Sequence, residues 1–165
     1  DPLDLASDVG AIASAAQLAG NLRFARQAED EGARLVSGGE RILEETGGFY
    51  QRPAIFDRVS QEMTLAREEV FGPLLAVIAF DDEADAVRLA NATEYGLASA
   101  VWTSSLSTAH RMVRAVRAGI VHVNTYGGSD LTVPLGGHRQ SGNGHDKSLH
   151  ALEKYTALKT AWIQL

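Results

Sequence analysis

The run Arg67-Glu68-Glu69-Val70-Phe71-Gly72-Pro73 constrains this chain more than any other stretch. Two carboxylates lead into two apolar residues, then a Gly and a Pro, then a largely apolar run from Leu74 to Phe80. Gly72 permits either a close backbone approach or a positive φ, and Pro73 forbids a helix from continuing. The apolar run predicts a strand covered on both faces. Glu69 is thereby set at a strand mouth, where α/β proteins commonly bind ligands. An ionised carboxylate is an acceptor only and can meet two vicinal sugar hydroxyls at once. The Phe71 ring, two residues on, can wall a flat heterocycle. The same spacing also fits a solvated glutamate pair ahead of a core strand.

The flanks read as alternating helices and strands. Residues up to about Gly10 carry turn chemistry. Ala15, Leu18, Leu22 and Ala25 then recur at helical spacing, with Gly32 as a stop and Arg34 to Ser37 as a short strand. Phe49 to Phe56 is extended, but Pro53 cannot donate to a ladder, which predicts an edge or a bulge. After Phe80, Asp81, Asp82 and Glu83 put negative charge at a helix start, and Ala86, Leu89 and Ala90 give that helix a buried stripe. Ser99 to Thr103 is the next strand. Ser105 or Ser107 caps a further helix whose Ala109, Met112, Val113 and Val116 face inward. The strand Ile120 to Asn124 follows, with His122 half-buried among apolar neighbours. The fold class predicted is α/β, with a parallel βαβ-type open sheet flanked by helices.

From Thr125 to Asp146 the chain turns Gly-rich and polar, and a loop this long in a compact domain is usually functional. A phosphate cradle does not fit it. Gly137 and Gly142 have the first P-loop spacing, but Asn143 stands where Lys is required. A dinucleotide fingerprint fails as well, because Gly142-Asn143-Gly144 follows no strand. His145 and His150 are five apart and do not share a helix face as two metal ligands would, so no metal site is predicted. Leu149 to Tyr155 fits a short helix, and the residues up to Leu165 have high β propensity.

The totals narrow the function classes. The 165 residues are 45% hydrophobic and 22% charged, ordinary for a soluble globular domain. A net charge of −6 and a pI near 5.3 argue against nucleic acid as a partner. No apolar run approaches the ~20 residues of a membrane span, so no membrane partner is expected. Cys is absent, which removes disulfides, thiolate metal sites and cysteine nucleophiles from these residues.

Glu68 to Pro73 resembles the Glu-Glu-[Ile/Val]-Phe-Gly-Pro signature of the NAD(P)-dependent aldehyde dehydrogenase superfamily, and the similarity extends along nearly the whole chain. Gly48, Phe49, Pro53 and Phe56 match the family's Gly-Phe-x-x-x-Pro-x-x-Phe run. Pro134 to Gly142 resembles its Pro-Phe-Gly-Gly-x-Lys-x-Ser-Gly segment, with Leu135 in place of Phe and Arg139 in place of Lys. Gln140 to Leu165 is most similar to the γ-glutamyl-γ-aminobutyraldehyde dehydrogenase branch.

The resemblance implies NAD or NADP as cofactor, with Glu69 on the nicotinamide-side ribose and Phe71 beside the nicotinamide. It implies that Ser129, Asp130 and Leu135 shape the entrance for a small-molecule aldehyde. The family's chemistry uses a Cys nucleophile and a Glu base, and neither has a counterpart here. Both precede the Asp1-Pro2-Leu3 segment in the family, and Asp1 stands where a complete chain would begin with Met. The expectation is therefore the C-terminal part of a cytoplasmic enzyme, inactive alone. Residues 1–152 would belong to its catalytic domain, and residues 153–165 would form an oligomerisation strand of a dimer or tetramer. A non-catalytic assembly module and a small ligand-binding fragment are the two other readings.

Overall fold

The computed structural model describes every residue except Asp1 and Ser129. The chain forms two compact units, Asp1–Asp81 and Asp82–Leu165. No described helix is long and apolar enough to cross a membrane.

The first unit opens with α1 (Ala15–Asp30), which Ser14 caps by accepting from the Gln17 amide at 3.1 Å. The chain continues through β1 (Arg34–Ser37), the two short strands β2 (Arg41–Ile42) and β3 (Tyr50–Gln51), β4 (Ala54–Asp57), the one-turn α2 (Thr64–Arg67) and β5 (Leu74–Ala76). The sheet order is β1-β4-β5, and β2 pairs with β3 apart from it. Beneath the sheet, Ala25, Ala28, Ala33, Ala54, Phe56, Val59 and Leu65 form the core, and Phe56 is fully enclosed. Val70, Leu74, Ala76 and Ile78 pack against that cluster. On α1, Leu18 and Ala25 are buried and Leu22 is half-buried, as the spacing predicts, while Ala15 is exposed.

Three expectations for this unit need correction. First, the sheet is mixed: β4 and β5 are parallel, but β1 and β4 are antiparallel. No helix crosses over between β1 and β4, and without a crossover the chain returns antiparallel. Second, β4 is the central strand. Pro53 lies just ahead of its first ladder residue, and the bulge falls on the partner strand, between Leu35 and Ser37. Third, Leu74 to Phe80 is covered on one face only. Leu74, Ala76 and Ile78 point to the core, while the alternate residues Leu75 and Val77 are exposed. An uninterrupted apolar run does not distinguish these two cases, because side chains alternate sides whatever covers them.

The second unit holds α3 (Glu83–Asn91), β6 (Ala98–Val101), α4 (Leu106–Ala115) and β7 (Ile120–Val123). Here the βαβ expectation holds: β6 and β7 are parallel, with Ala98 opposite Ile120 and Val101 opposite Val123. Asp82 caps α3 by accepting from the Asp85 amide at 2.8 Å, and Ser105 caps α4 by accepting from the Thr108 amide at 3.3 Å. Arg111 on α4 donates to both oxygens of Glu83 in the first turn of α3, at 2.6 and 2.7 Å. Ala109, Met112 and Val116 are buried, but Val113 and Ala90 are exposed, so the inward stripes are narrower than predicted.

Leu149–Tyr155 is a 3-10 helix, and residues 156–165 form neither a helix nor a ladder with any described residue. Leu158, Trp162, Ile163 and Leu165 in that tail are exposed. β propensity gives a strand only where another strand offers hydrogen-bonding partners.

Candidate functional site

The motif turn sits between α2 and β5. Glu68 ends α2 in an extended conformation. Val70 is half-buried against the core, and Ala54 donates its amide to the Pro73 carbonyl at 2.8 Å, tying the turn's exit to the central strand. Between these anchors Phe71 has φ +53 and is 78% exposed. A left-handed backbone at an aromatic residue costs on the order of 1–2 kcal/mol. Strain of this kind is held by the surrounding structure and collects at ligand sites. Glu69 is exposed and has neither a hydrogen bond nor an ion pair with the described residues.

Gly72 answers the two options that the sequence leaves open. It is absent from the positive-φ glycines. A Cβ built on it would lie 2.4 Å from Asn21 Oδ1 and 2.5 Å from its Cγ and Nδ2. The Gly is therefore there for close approach, because the Asn21 amide occupies the space. Asn21 is fully buried on α1, and its Oδ1 accepts from Gln17 Nε2 at 2.7 Å. The same Gln17 nitrogen donates to the Val70 carbonyl at 2.9 Å. Sequence reading missed both residues. Their signal is a Gln and an Asn four apart on α1, with Asn21 on the side that Leu18, Ala25 and Ala28 bury.

The second unit carries a cleft of about 570 Å³ between the β6–β7 pair and the loop after β7. Asp130 and Leu135 both line it, together with His122, Tyr126, Val133 and Lys147. Ser129, the third residue assigned to the substrate entrance, lies outside the described residues. Asp130 Oδ1 accepts from the Thr132 amide at 2.8 Å and from its hydroxyl at 2.7 Å. Those bonds, with the charge of Lys147, hold its carboxyl below the usual carboxylate range, so it is ionised at neutral pH.

Some glycines at and before the Gly-rich loop allow close packing. A Cβ at Gly119 would meet the Gly136 carbonyl oxygen at 1.7 Å, and one at Gly136 would meet that of Gly144 at 2.5 Å. Leu135 and Asp146 exchange backbone hydrogen bonds of 2.8 and 2.7 Å, which fixes Leu135 on the cleft wall. Arg139 donates to the Asn91 carbonyl at 3.1 Å and also to that of Thr93, at the C-terminal end of α3. A guanidinium there satisfies carbonyls that the helix leaves open.

The residues at the motif turn fit a dinucleotide. A partnerless exposed carboxylate suits ribose hydroxyls, and an exposed ring on a braced backbone suits a flat heterocycle. A family model described as "Aldehyde dehydrogenase family" matches residues 1–161, and the chain belongs to that family. The NADP/NAD-dependent aldehyde dehydrogenase PuuC of Escherichia coli (strain K12) is 49% identical over 164 residues, 99% of this chain and 32% of its own length. An indole-3-acetaldehyde dehydrogenase solved with NAD+ superposes with a TM-score of 0.94 at 54% identity, covering 99% of this chain and 33% of that one. The γ-glutamyl-γ-aminobutyraldehyde dehydrogenase from Burkholderia cenocepacia J2315 gives 0.88 at 56% identity, over 92% and 30%. The chain thus spans about a third of the length of the curated relatives it matches.

Proposed function

We propose that this chain supplies the nicotinamide-side wall and the substrate entrance of an NAD(P)-dependent aldehyde dehydrogenase that oxidises an aldehyde to the carboxylic acid. The observation that carries it is the motif turn, where Glu69, with no hydrogen-bond or ion-pair partner among the described residues, precedes a Phe71 held in a left-handed conformation. Glu69 accepts hydrogen bonds from the ribose hydroxyls, and Phe71 walls one side of the nicotinamide. Bound there, the nicotinamide supplies the hydride acceptor. The thiolate that attacks the aldehyde to form a thiohemiacetal comes from outside these residues, since the chain has no Cys.

Glu69→Gln in the intact protein tests the reading. A neutral amide loses the charge-assisted contact, which is worth on the order of 1.5–3 kcal/mol. The Kd for NAD+ or NADP+ should rise by about tenfold or more, with an unchanged circular dichroism spectrum. Unaltered cofactor affinity would reject the role of Glu69.

The substrate class follows from the cleft, on the reading that it is the entrance. An ionised Asp130 on the wall favours aldehydes whose far end is cationic or donates hydrogen bonds. The name of the Burkholderia relative, an aminobutyraldehyde derivative's dehydrogenase, fits that class. Amino-aldehydes should have a higher kcat/KM than aliphatic aldehydes of equal length, and Asp130→Asn should narrow the gap. A gap unaffected by the substitution would remove Asp130 from recognition.

The exposed tail of residues 156–165 completes the proposal as an oligomerisation strand that orders on pairing with another part of a dimer or tetramer. Its support is the apolar exposure of Leu158, Trp162, Ile163 and Leu165.

A further inference from the structure

We propose that Asn21 and Gln17 are positioning residues for dinucleotide binding, acting through the Val70–Gly72 turn; this rests on the function proposed above. Asn21 is fully buried on the core side of α1, and its Nδ2 has no partner among the described residues. A buried amide left half-satisfied is costly, and a leucine would fill such a position more cheaply. The residue's surroundings indicate what it does there. Its amide lies against the Gly72 α-carbon, so closely that no side chain fits at position 72. Its Oδ1 fixes the Gln17 amide at 2.7 Å, and Gln17 in turn donates to the Val70 carbonyl at 2.9 Å. Two contacts from one helix face therefore bracket Phe71 on both sides in sequence. Phe71, with φ +53, is the one strained residue of the turn. An unbraced chain would relax out of that conformation and take both the ring and the Glu69 carboxylate with it.

The relay has a definite logic. The Gln17 side chain has one NH2 group that serves two acceptors, Asn21 Oδ1 and the Val70 carbonyl. Removing either residue breaks the same chain, so their effects should not add. Neither residue needs to touch the cofactor for this to hold.

The test uses Asn21→Leu, which keeps the branched shape without an acceptor, Gln17→Met, which keeps length without a donor, and the two combined in the intact protein. Each single variant should raise the Kd and KM for the dinucleotide about fivefold, as expected for one hydrogen bond, with the KM for aldehyde unchanged. The double variant should be no worse than the more severe single one. In hydrogen exchange, peptides spanning residues 68–74 should exchange faster without cofactor, while those of β1 and β4 keep their protection. Gln17→Met lies on the half-buried side of α1 and retains the test if Asn21→Leu fails to fold. Lower thermal stability with unchanged cofactor affinity and unchanged exchange at 68–74 would overturn the inference. If the wild-type protein binds no dinucleotide, the proposed function fails, and the exchange measurement still decides whether these residues brace the turn.

Discussion

At the scale of single residues, chemistry and conformation were unequally legible. Glu69 and Phe71 stand out because their types and spacing suit a ribose and a flat ring. The left-handed backbone at Phe71 could not be read, because the sequence offers a glycine next to it as the natural holder of a positive φ. The Gly is instead forced by Asn21, whose side chain fills the space where a Cβ would go. Helical period alone does not reveal a buried Asn, since it marks which side of a helix is covered without saying what lies against it. The strain leads to a prediction. Phe71→Gly relieves a cost of about 1 kcal/mol and gives up little burial, because the ring is exposed. Thermal stability should hold or rise, while dinucleotide affinity should fall. A drop in melting temperature together with unchanged affinity would mean that Phe71 serves the fold and not the ligand.

At the scale of elements, helix starts were legible from the acidic run at Asp81 to Glu83 and from the choice of Ser105 or Ser107. The residue that caps each of α1, α3 and α4 is an acidic or hydroxyl residue directly before it. That position falls to Asp82 on α3, Ser105 on α4 and Ser14 on α1, the last of which the sequence reading did not name. Strand environment was not legible. Pro53 argued for an edge or a bulge, yet it sits one residue before a central strand, and the bulge falls on the partner strand. The Leu74 to Phe80 run argued for two covered faces, and one is open. A long-range cap also escaped notice. Glu31, just past α1, accepts from the Thr64 amide at 2.7 Å and from its hydroxyl at 2.6 Å, closing the N-terminus of α2, which leads into the motif turn. The Thr64 hydroxyl, then its amide, then Gln27 hold the Glu31 carboxyl below its ordinary range. A group whose folded pKa is depressed contributes stability above its unfolded pKa and loses it as pH falls through the folded one. Glu31's contribution should therefore be complete at neutral pH and fade through the acidic carboxylate range. Glu31→Gln should lower the melting temperature slightly at pH 7 and flatten its decline in acid. Parallel curves for the two proteins across that range would show that the cap carries no linkage.

At the scale of the whole molecule, the family was legible because three separated segments, Gly48 to Phe56, Glu68 to Pro73 and Pro134 to Gly142, carry its pattern together. The role proposed for each unit rests on what it holds. The first carries the braced turn, and the second carries the cleft with Asp130 and Leu135 on its wall. The tail shows a strand pattern in sequence, but a strand exists only with a partner to pair with, and residues 156–165 have none among the described residues. Deleting Lys154 to Leu165 should abolish any self-association seen by light scattering, and association that survives the deletion would place the interface elsewhere. On the proposed function, these 165 residues furnish cofactor and substrate walls without a nucleophile. It is tested most directly by following aldehyde-dependent formation of reduced nicotinamide, with the 165-residue chain and the intact protein at equal concentration. The intact protein should turn over aldehyde and the 165 residues should not. Turnover by the 165 residues alone would contradict it.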